Sequence, residues 1–298
     1  MNGALEALAA EAGGDGPIVA VGGRTQFAIG GAVDPAAREV HPPAGIVEHV
    51  AAEMTVRVRA GTTVAELDDA LAPSRQCVAL PSWDGATVGG VLAVGHSGLR
   101  RLGWGPVRDT VLEVRYVSAD GRAVKAGGPT VKNVSGYDLP RLLVGSLGTL
   151  GIIGEVVLRT RPVPACERWF AAAGVDPFSL LQRVYRPASV LWDGATTWML
   201  LDGHPSDVAD QARLGGLREI DSTGFPALPL HRWSVPPSAL ASLPSDGHGP
   251  FVAEVGVGVV HRSTPQPPRV LDASILELQQ RIKDAFDPTG RLSPGRMP

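Results

Sequence analysis

Three segments concentrate glycine beside hydroxyl residues: Gly22-Gly23-Arg24-Thr25-Gln26, then Gly85-Ala86-Thr87-Val88-Gly89-Gly90-Val91 running on to Gly95-His96-Ser97-Gly98, and Gly145-Ser146-Leu147-Gly148-Thr149-Leu150-Gly151. Glycine reaches positive φ and lets backbone approach a ligand with no Cβ in the way. Successive N–H groups in such loops form a concave nest for an anion, usually phosphate, and the Thr and Ser hydroxyls add donors. Taken singly, each segment is equally readable as tight turns in a β-rich fold. Two better-known phosphate motifs fail. GxxxxGK followed by Ser or Thr does not occur, which excludes a P-loop nucleotidase. The spacing Gly145-x-x-Gly148-x-x-Gly151 is not GxGxxG and leads into a strand pattern rather than a helix, which argues against a Rossmann dinucleotide site.

The elements that must carry these loops are legible around them. Residues 17–21 read as a short buried strand entering the first loop. Residues 54–59 alternate, with Met54, Val56 and Val58 on one face and Thr55, Arg57 and Arg59 on the other. Thr63-x-x-Glu66 is a capping box opening a helix with Val64, Leu67 and Leu71 as its apolar stripe, stopped by Pro73. Asp120-Gly121 joins two strands of a hairpin, 111–118 and 122–125, and 152–159 is a further strand. From about residue 165 the texture changes. A hairpin turns at Asp193-Gly194, a helix spans about 206–214, and 251–261 alternates as one strand with Phe251, Ala253, Val255, Val257, Val259 and His261 on a shared face. A last helix over 273–286 carries Ile275, Leu278 and Ile282 and ends at Asp287-Pro288-Thr289-Gly290. Two α+β domains result.

Composition bounds the function. A formal charge of −3, spread over both halves, gives no basic face for nucleic acid. Arginine outnumbers lysine 24 to 3, so no single arginine marks a site by its type alone. The two cysteines, Cys77 and Cys166, form no CxxC and read as reduced thiols of a cytoplasmic protein. The first residues lack the basic start of a secretion signal. The longest apolar stretch of interest, 142–154, is too short to span a bilayer.

The ordered set GGRT (22–25), GATVGGVLAVGHSG (85–98) with LRRLGWG and PVRDTVLEV after it, and VKNVSGYDLPRLLVGSLGTLGIIGEVVLRTRP (131–162) resembles the FAD-binding domain of the vanillyl-alcohol oxidase / p-cresol methylhydroxylase (PCMH) flavoproteins. Within that family it is most similar to the smaller FAD-binding subunits of bacterial glycolate oxidase complexes. The similarity is carried mainly by residues 17–165 and continues through 232–236 and the tail QRIKDAFDPTGRLSPGR (280–296). It implies an α+β fold: a PCMH-type FAD-binding domain of two α+β subdomains at 1–164, then a small α+β cap at 165–298 whose C-terminal helix and tail return toward the FAD domain. It implies non-covalent FAD, because the first loop has no histidine or cysteine to attach flavin. On that analogy Gly22, Gly23, Arg24, Thr25 and Gln26 form the first pyrophosphate loop, and Ala86, Thr87, Gly89 and Gly90 the second. Gly95, Ser97 and Gly98 lie beside the flavin, and Gly148, Gly151, Ile152 and Ile153 meet the adenosine part. Arg24 replaces a glycine of the usual GGGT, so it either pairs with the pyrophosphate or crowds it. At Gly89 a Cβ is expected to block the cofactor's approach. Lys132, Asn133, Tyr137 and Asp138 also match the family pattern, Lys132 as a flavin or phosphate partner or a solvated charge.

Flavin oxidation of a 2-hydroxy acid needs a cation for the carboxylate and a base or metal for the hydroxyl proton. His96 is the weak catalytic candidate. His204, His231, His248 and His261 form no close pair, so no metal site is expected, and Arg232 is one carboxylate clamp among many arginines. The resemblance therefore implies an FAD-binding subunit of a glycolate-type 2-hydroxy-acid dehydrogenase. Its partners would be a larger catalytic flavin subunit and an iron–sulfur subunit, in a complex that would place this cytoplasmic chain peripherally at the inner membrane. Two cysteines cannot ligate a cluster. The alternatives are a free-standing FAD oxidoreductase for a small hydroxy acid or alcohol, and a non-catalytic scaffold.

Overall fold

The computed structural model describes residues 3–129, 137–221, 224–268 and 270–297, so Lys132 and Asn133 lie outside the described residues. The chain divides into two compact units. The first comprises Met1–Gly98, Pro106–Pro162 and Leu271–Pro298, and the second Leu99–Gly105 and Val163–Val270. A single cut near 164 therefore misses two segments. The change in composition marks where the chain leaves the first unit, but packing decides where it re-enters.

The first unit is built on a five-stranded sheet, in the order Ile46–Val50, Thr55–Arg59, Ile152–Arg159, Val111–Val117, Ala123–Gly127, with every pair antiparallel. Strand alternation sends Val56, Val58, Val114, Tyr116, Val156 and Leu158 to one face, where the helices Val64–Leu71 and Val88–Val94 cover them. The capping box forms as the sequence requires: Thr63 Oγ1 accepts from Glu66 N–H, and Glu66 accepts from Thr63 N–H. The opposite face carries charge. Glu113, fully buried, is paired with Arg57 at 2.7 Å and Lys125 at 3.1 Å, and Glu155 with Arg57 and Arg115 at 3.2 Å. Burial acts to raise the Glu113 pKa, yet hydrogen bonds from Arg57 and Lys125 prevail and hold it below the usual carboxylate value.

A second, smaller layer holds the first glycine loop. Ile18–Ala20 pairs in parallel with Arg38–Val40, and the C-terminal tail runs beside it, Ile18 N–H donating to Arg291 O and Ser293 N–H to Ile18 O. The helix Ala273–Phe286 packs Ile282 and Phe286 on the first unit's core. Below them Lys283 is buried with all three ammonium protons used. It donates to Asp287 Oδ2 at 2.6 Å, to Thr149 O at 2.9 Å and to Leu292 O at 2.9 Å.

The second unit is a seven-stranded antiparallel sheet whose apolar face packs the helices Pro177–Arg183 and Pro205–Gly215 through Leu180, Val208 and Ala212. One expectation fails here. The stretch 251–261 is two strands, Val252–Glu254 and Val259–Arg262, folded back at Gly256 and Gly258, whose φ values are 81° and 82°. Alternation of apolar residues concealed a turn that two left-handed glycines make possible. His261 therefore does not share the face of Ala253. It sits with Glu254, its Nε2 2.9 Å from Glu254 Oε1, while Ala253 and Val260 enter the core.

Replacing Lys283 with methionine would leave Asp287 buried without its cation, which costs about 3–5 kcal/mol. The K283M variant is expected to lose that much stability in urea unfolding followed by circular dichroism. An unchanged midpoint would show that the pair does not hold the tail.

Candidate functional site

The first loop leaves the strand Ile18–Ala20 and enters a turn at Thr25–Gly30. The N–H groups of Gly22, Gly23, Arg24, Thr25 and Gln26 find no acceptor among the described residues, whereas Val21 N–H before them donates to Val40 O and Phe27 N–H after them to Arg24 O. Five consecutive unpaired donors in a loop are an anion-binding surface. Arg24 has a φ of 57°, the left-handed region that disfavours a side chain by about 1–2 kcal/mol. That conformation explains why a glycine would suit position 24. The Arg24 guanidinium pairs with Glu39 and lies 5.1 Å from the Phe27 ring centroid. The hydrogen bond from Arg24 is the main cause holding the Glu39 pKa below its ordinary value.

The second segment is not a loop throughout. Val88–Val94 is helical, with Thr87 as N-cap and Gly95 as its left-handed C-cap. Its first N–H groups are already committed: Val88 to Thr62 O, Gly89 to Ala60 O, and Gly90 to Thr87 Oγ1 at 3.2 Å. This segment supplies a floor rather than a phosphate nest. A Cβ on Gly89 would stand 2.7 Å from Ala60 Cβ, so packing against Ala60 by itself requires the glycine. Loop-on-loop packing fixes Gly22 and Gly23 in the same way. Their Cβ atoms would stand 2.2 Å from Thr87 Oγ1 and 1.7 Å from Gly85 O.

Two adjoining narrow cavities run between these segments. Gly22, Thr87, Gly90 and Gly148 line both. Gly23, Arg24, Thr25 and Gln26 line the first, and Gly89, Gly151 and Ile153 the second. Other expected site residues are elsewhere. Ala86 is in the first unit's core, and Ile152 packs with Leu5, Leu8 and Leu292 in the core under the N-terminal helix. Ser97 is buried, its Oγ accepting from Val107 N–H at 3.0 Å. Gly95 abuts Gly145, Gly98 abuts Pro81, and none of these lines either cavity. Tyr137 is exposed and Asp138 caps the short helix Leu139–Leu143.

His96 approaches the first loop through Gln26, whose Nε2 lies 2.8 Å from His96 Nδ1, and its ring lies 5.2 Å from that of Trp83. Gln26 Oε1 is buried without a partner. Sequence reasoning missed several lining residues, among them Phe27, Trp83, Leu147 and Arg296. No spacing signal marks the first three, and Arg296 was one arginine among many in a tail far along the chain.

In the second unit, Arg232, Glu254 and His261 share the sheet face opposite the apolar core. Arg232 Nη2 is 3.7 Å from Glu254 Oε1, and burial is the largest influence lowering the Arg232 pKa. Arg262 is fully buried, bonded to Asp246 Oδ2 at 2.5 Å and stacked on Trp233 at 4.9 Å. No group of three potential metal ligands occurs among the described residues.

Residues 4–127 match the FAD binding domain family. The chain is 28% identical to glycolate oxidase subunit GlcE of Escherichia coli over 94% of its own length and 92% of that protein's. It is 45% identical to D-lactate dehydrogenase of Archaeoglobus fulgidus over 35% of its length, which is 24% of that protein. Among solved structures, alkyldihydroxyacetonephosphate synthase superposes with a TM-score of 0.68 at 16% identity, covering 98% of this chain and 74% of that one. The fold is shared with that synthase.

The cradle fits FAD by its own chemistry: five free N–H groups, an orphaned buried acceptor on Gln26 and a floor of glycines. The variant Gly89→Val is expected to lower the thermal midpoint of the FAD-free protein, because two methyl groups would be forced into Ala60. An FAD-free protein of unchanged midpoint that has lost only FAD would restore the approach-blocking explanation.

Proposed function

With an FAD binding domain of the PCMH type at residues 4–127 as the premise, we propose that the chain is the FAD-holding subunit of a complex that oxidises a small 2-hydroxy acid. The observation that carries this reading is the reciprocal coverage. The chain and the glycolate oxidase subunit match across nearly their whole lengths, whereas the D-lactate dehydrogenase shares only a quarter of its own length with this chain. A self-sufficient dehydrogenase would be expected to share more of the latter.

FAD, when bound, supplies a two-electron acceptor for the hydroxy acid's carbon–hydrogen bond. The chain's own residues do the holding. The N–H groups of residues 22–26 neutralise phosphate charge without adding a mobile side chain, and the glycine floor excludes water from beneath it. Gln26 Nε2 and His96 Nδ1 lie 2.8 Å apart, which ties the His96 ring to the first loop. In this reading electrons leave through a partner, and any iron–sulfur cluster is held there, since Cys77 and Cys166 are too few to ligate one. The partners in this proposal are a larger catalytic flavin subunit and an iron–sulfur subunit, and the site of assembly is the cytoplasmic face of the inner membrane. No helix among the described residues is long and apolar enough to cross a membrane.

The test is the visible spectrum of the purified chain before and after anaerobic glycolate or D-lactate. A flavin spectrum that stays oxidised with either acid, and bleaches once the larger subunit is added, is the expected result. Bleaching by the chain alone would replace the subunit reading with a free-standing oxidoreductase. A colourless protein that takes up no FAD would overturn the flavin role itself.

A further inference from the structure

Arg296, in the C-terminal tail, is buried, yet no carboxylate among the described residues pairs with it, and burial alone pushes its pKa down. Among the described residues its guanidinium donates only to backbone carbonyls, Phe27 O and Gly31 O, and it lies 4.6 Å from the Phe27 ring centroid. Arg24 stacks on the same ring at 5.1 Å. Both arginines line the cavity beneath the loop of unpaired N–H groups. A buried cation without a counter-charge is costly, and the fold retains this one at the edge of an anion-binding loop.

We propose that Arg296 and Arg24 form a two-cation clamp around Phe27 for the diphosphate of FAD, with Glu39 occupying Arg24 until the cofactor arrives. This rests on the FAD reading above and extends it to the tail, which neither the glycine motifs nor the matched domain at residues 4–127 includes. Two guanidinium charges match the two charges of a diphosphate diester. Arg296 is already fixed by its carbonyl contacts, so it is preorganised for an anion. Arg24 is not free. Its partner Glu39 is itself half-exposed, with His41 Nε2 at 3.8 Å from its other oxygen. An exposed ion pair of this kind adds little stability. A dianion seated on five N–H groups therefore displaces Glu39 readily, and Glu39 then acts as a competitor that weakens FAD binding. The tail becomes part of the cofactor site because Asp34 N–H donates to Pro294 O and Ser293 N–H to Ile18 O, which places Arg296 against the turn 27–31.

The full-length chain, stripped of flavin, is titrated with FAD and with riboflavin, which has the same ring and no phosphate, by flavin fluorescence quenching at low and high salt. Arg296→Gln is expected to weaken FAD at least tenfold and riboflavin hardly at all, with a smaller loss of salt sensitivity in Arg24→Gln. Glu39→Gln is expected to tighten FAD about threefold or more and to leave riboflavin unchanged. Circular dichroism melting of each FAD-free variant reports folding. Arg296→Gln that folds and holds FAD normally, or that loses both flavins equally, overturns the clamp. Should Arg296→Gln fail to fold, an unchanged FAD affinity in Glu39→Gln overturns it instead. Wild-type protein that binds riboflavin and FAD equally well would leave a flavin protein with no clamp, whereas binding of neither would remove the FAD reading and the clamp together.

Discussion

One ammonium group holds the first unit's distant pieces in register. Lys283 donates to Asp287 just past the end of its own helix, to Thr149 in the third glycine segment and to Leu292 in the tail. Thr149 lies more than a hundred residues before the other two, so one cation ties the third glycine segment to the end of the last helix and the tail. Asp287 extends the arrangement by accepting from the N–H groups of Leu292 and Arg291. Arg291 in turn donates to the carbonyls of Ala12, Gly16 and Ala119. Charge-assisted bonds of this kind are strong where water is excluded, and removing either partner strands the other. The pair ties the glycine segment 145–151 to the tail that bears Arg296.

Within the cradle, the availability of N–H groups separates binding loop from scaffold. Glycine density is the same signal in all three segments, but the donors are spent differently. In 87–91 they cap a helix and tie it to Ala60 and Thr62; in 22–26 they find no acceptor among the described residues. Thr87 joins the two, since its hydroxyl caps the helix and occupies the space a Cβ on Gly22 would need. The small residues thus let loop lie on loop, while the first loop keeps an unbroken run of N–H groups with no acceptor among the described residues.

Much of this was legible in the sequence. Strands at Ile18–Ala20, Thr55–Arg59, Val111–Val117 and Ile152–Arg159, the capping box at Thr63 and the last helix follow directly from alternation, capping residues and glycine or proline stops. The helix Val88–Val94 was hidden because its two glycines weaken helix propensity, and only tertiary contacts with Ala60 show why they are there. The turn at Gly256 and Gly258 was hidden by apolar residues that kept a period of two through it. Arg296 was illegible in a different sense. Its importance comes from burial without a counter-charge, which no local pattern encodes, and from a tail that returns across nearly the whole chain to lie beside Ile18.

Amide hydrogen exchange of the full-length chain with and without FAD tests most directly whether the free N–H groups of residues 22–26 are the cofactor's phosphate site. Peptides covering 22–26 are expected to gain strong protection on FAD binding, while 88–91, whose amides are already bonded, change little. FAD-loaded protein in which 22–26 exchange as fast as before would contradict the account and move the cofactor to another part of the fold.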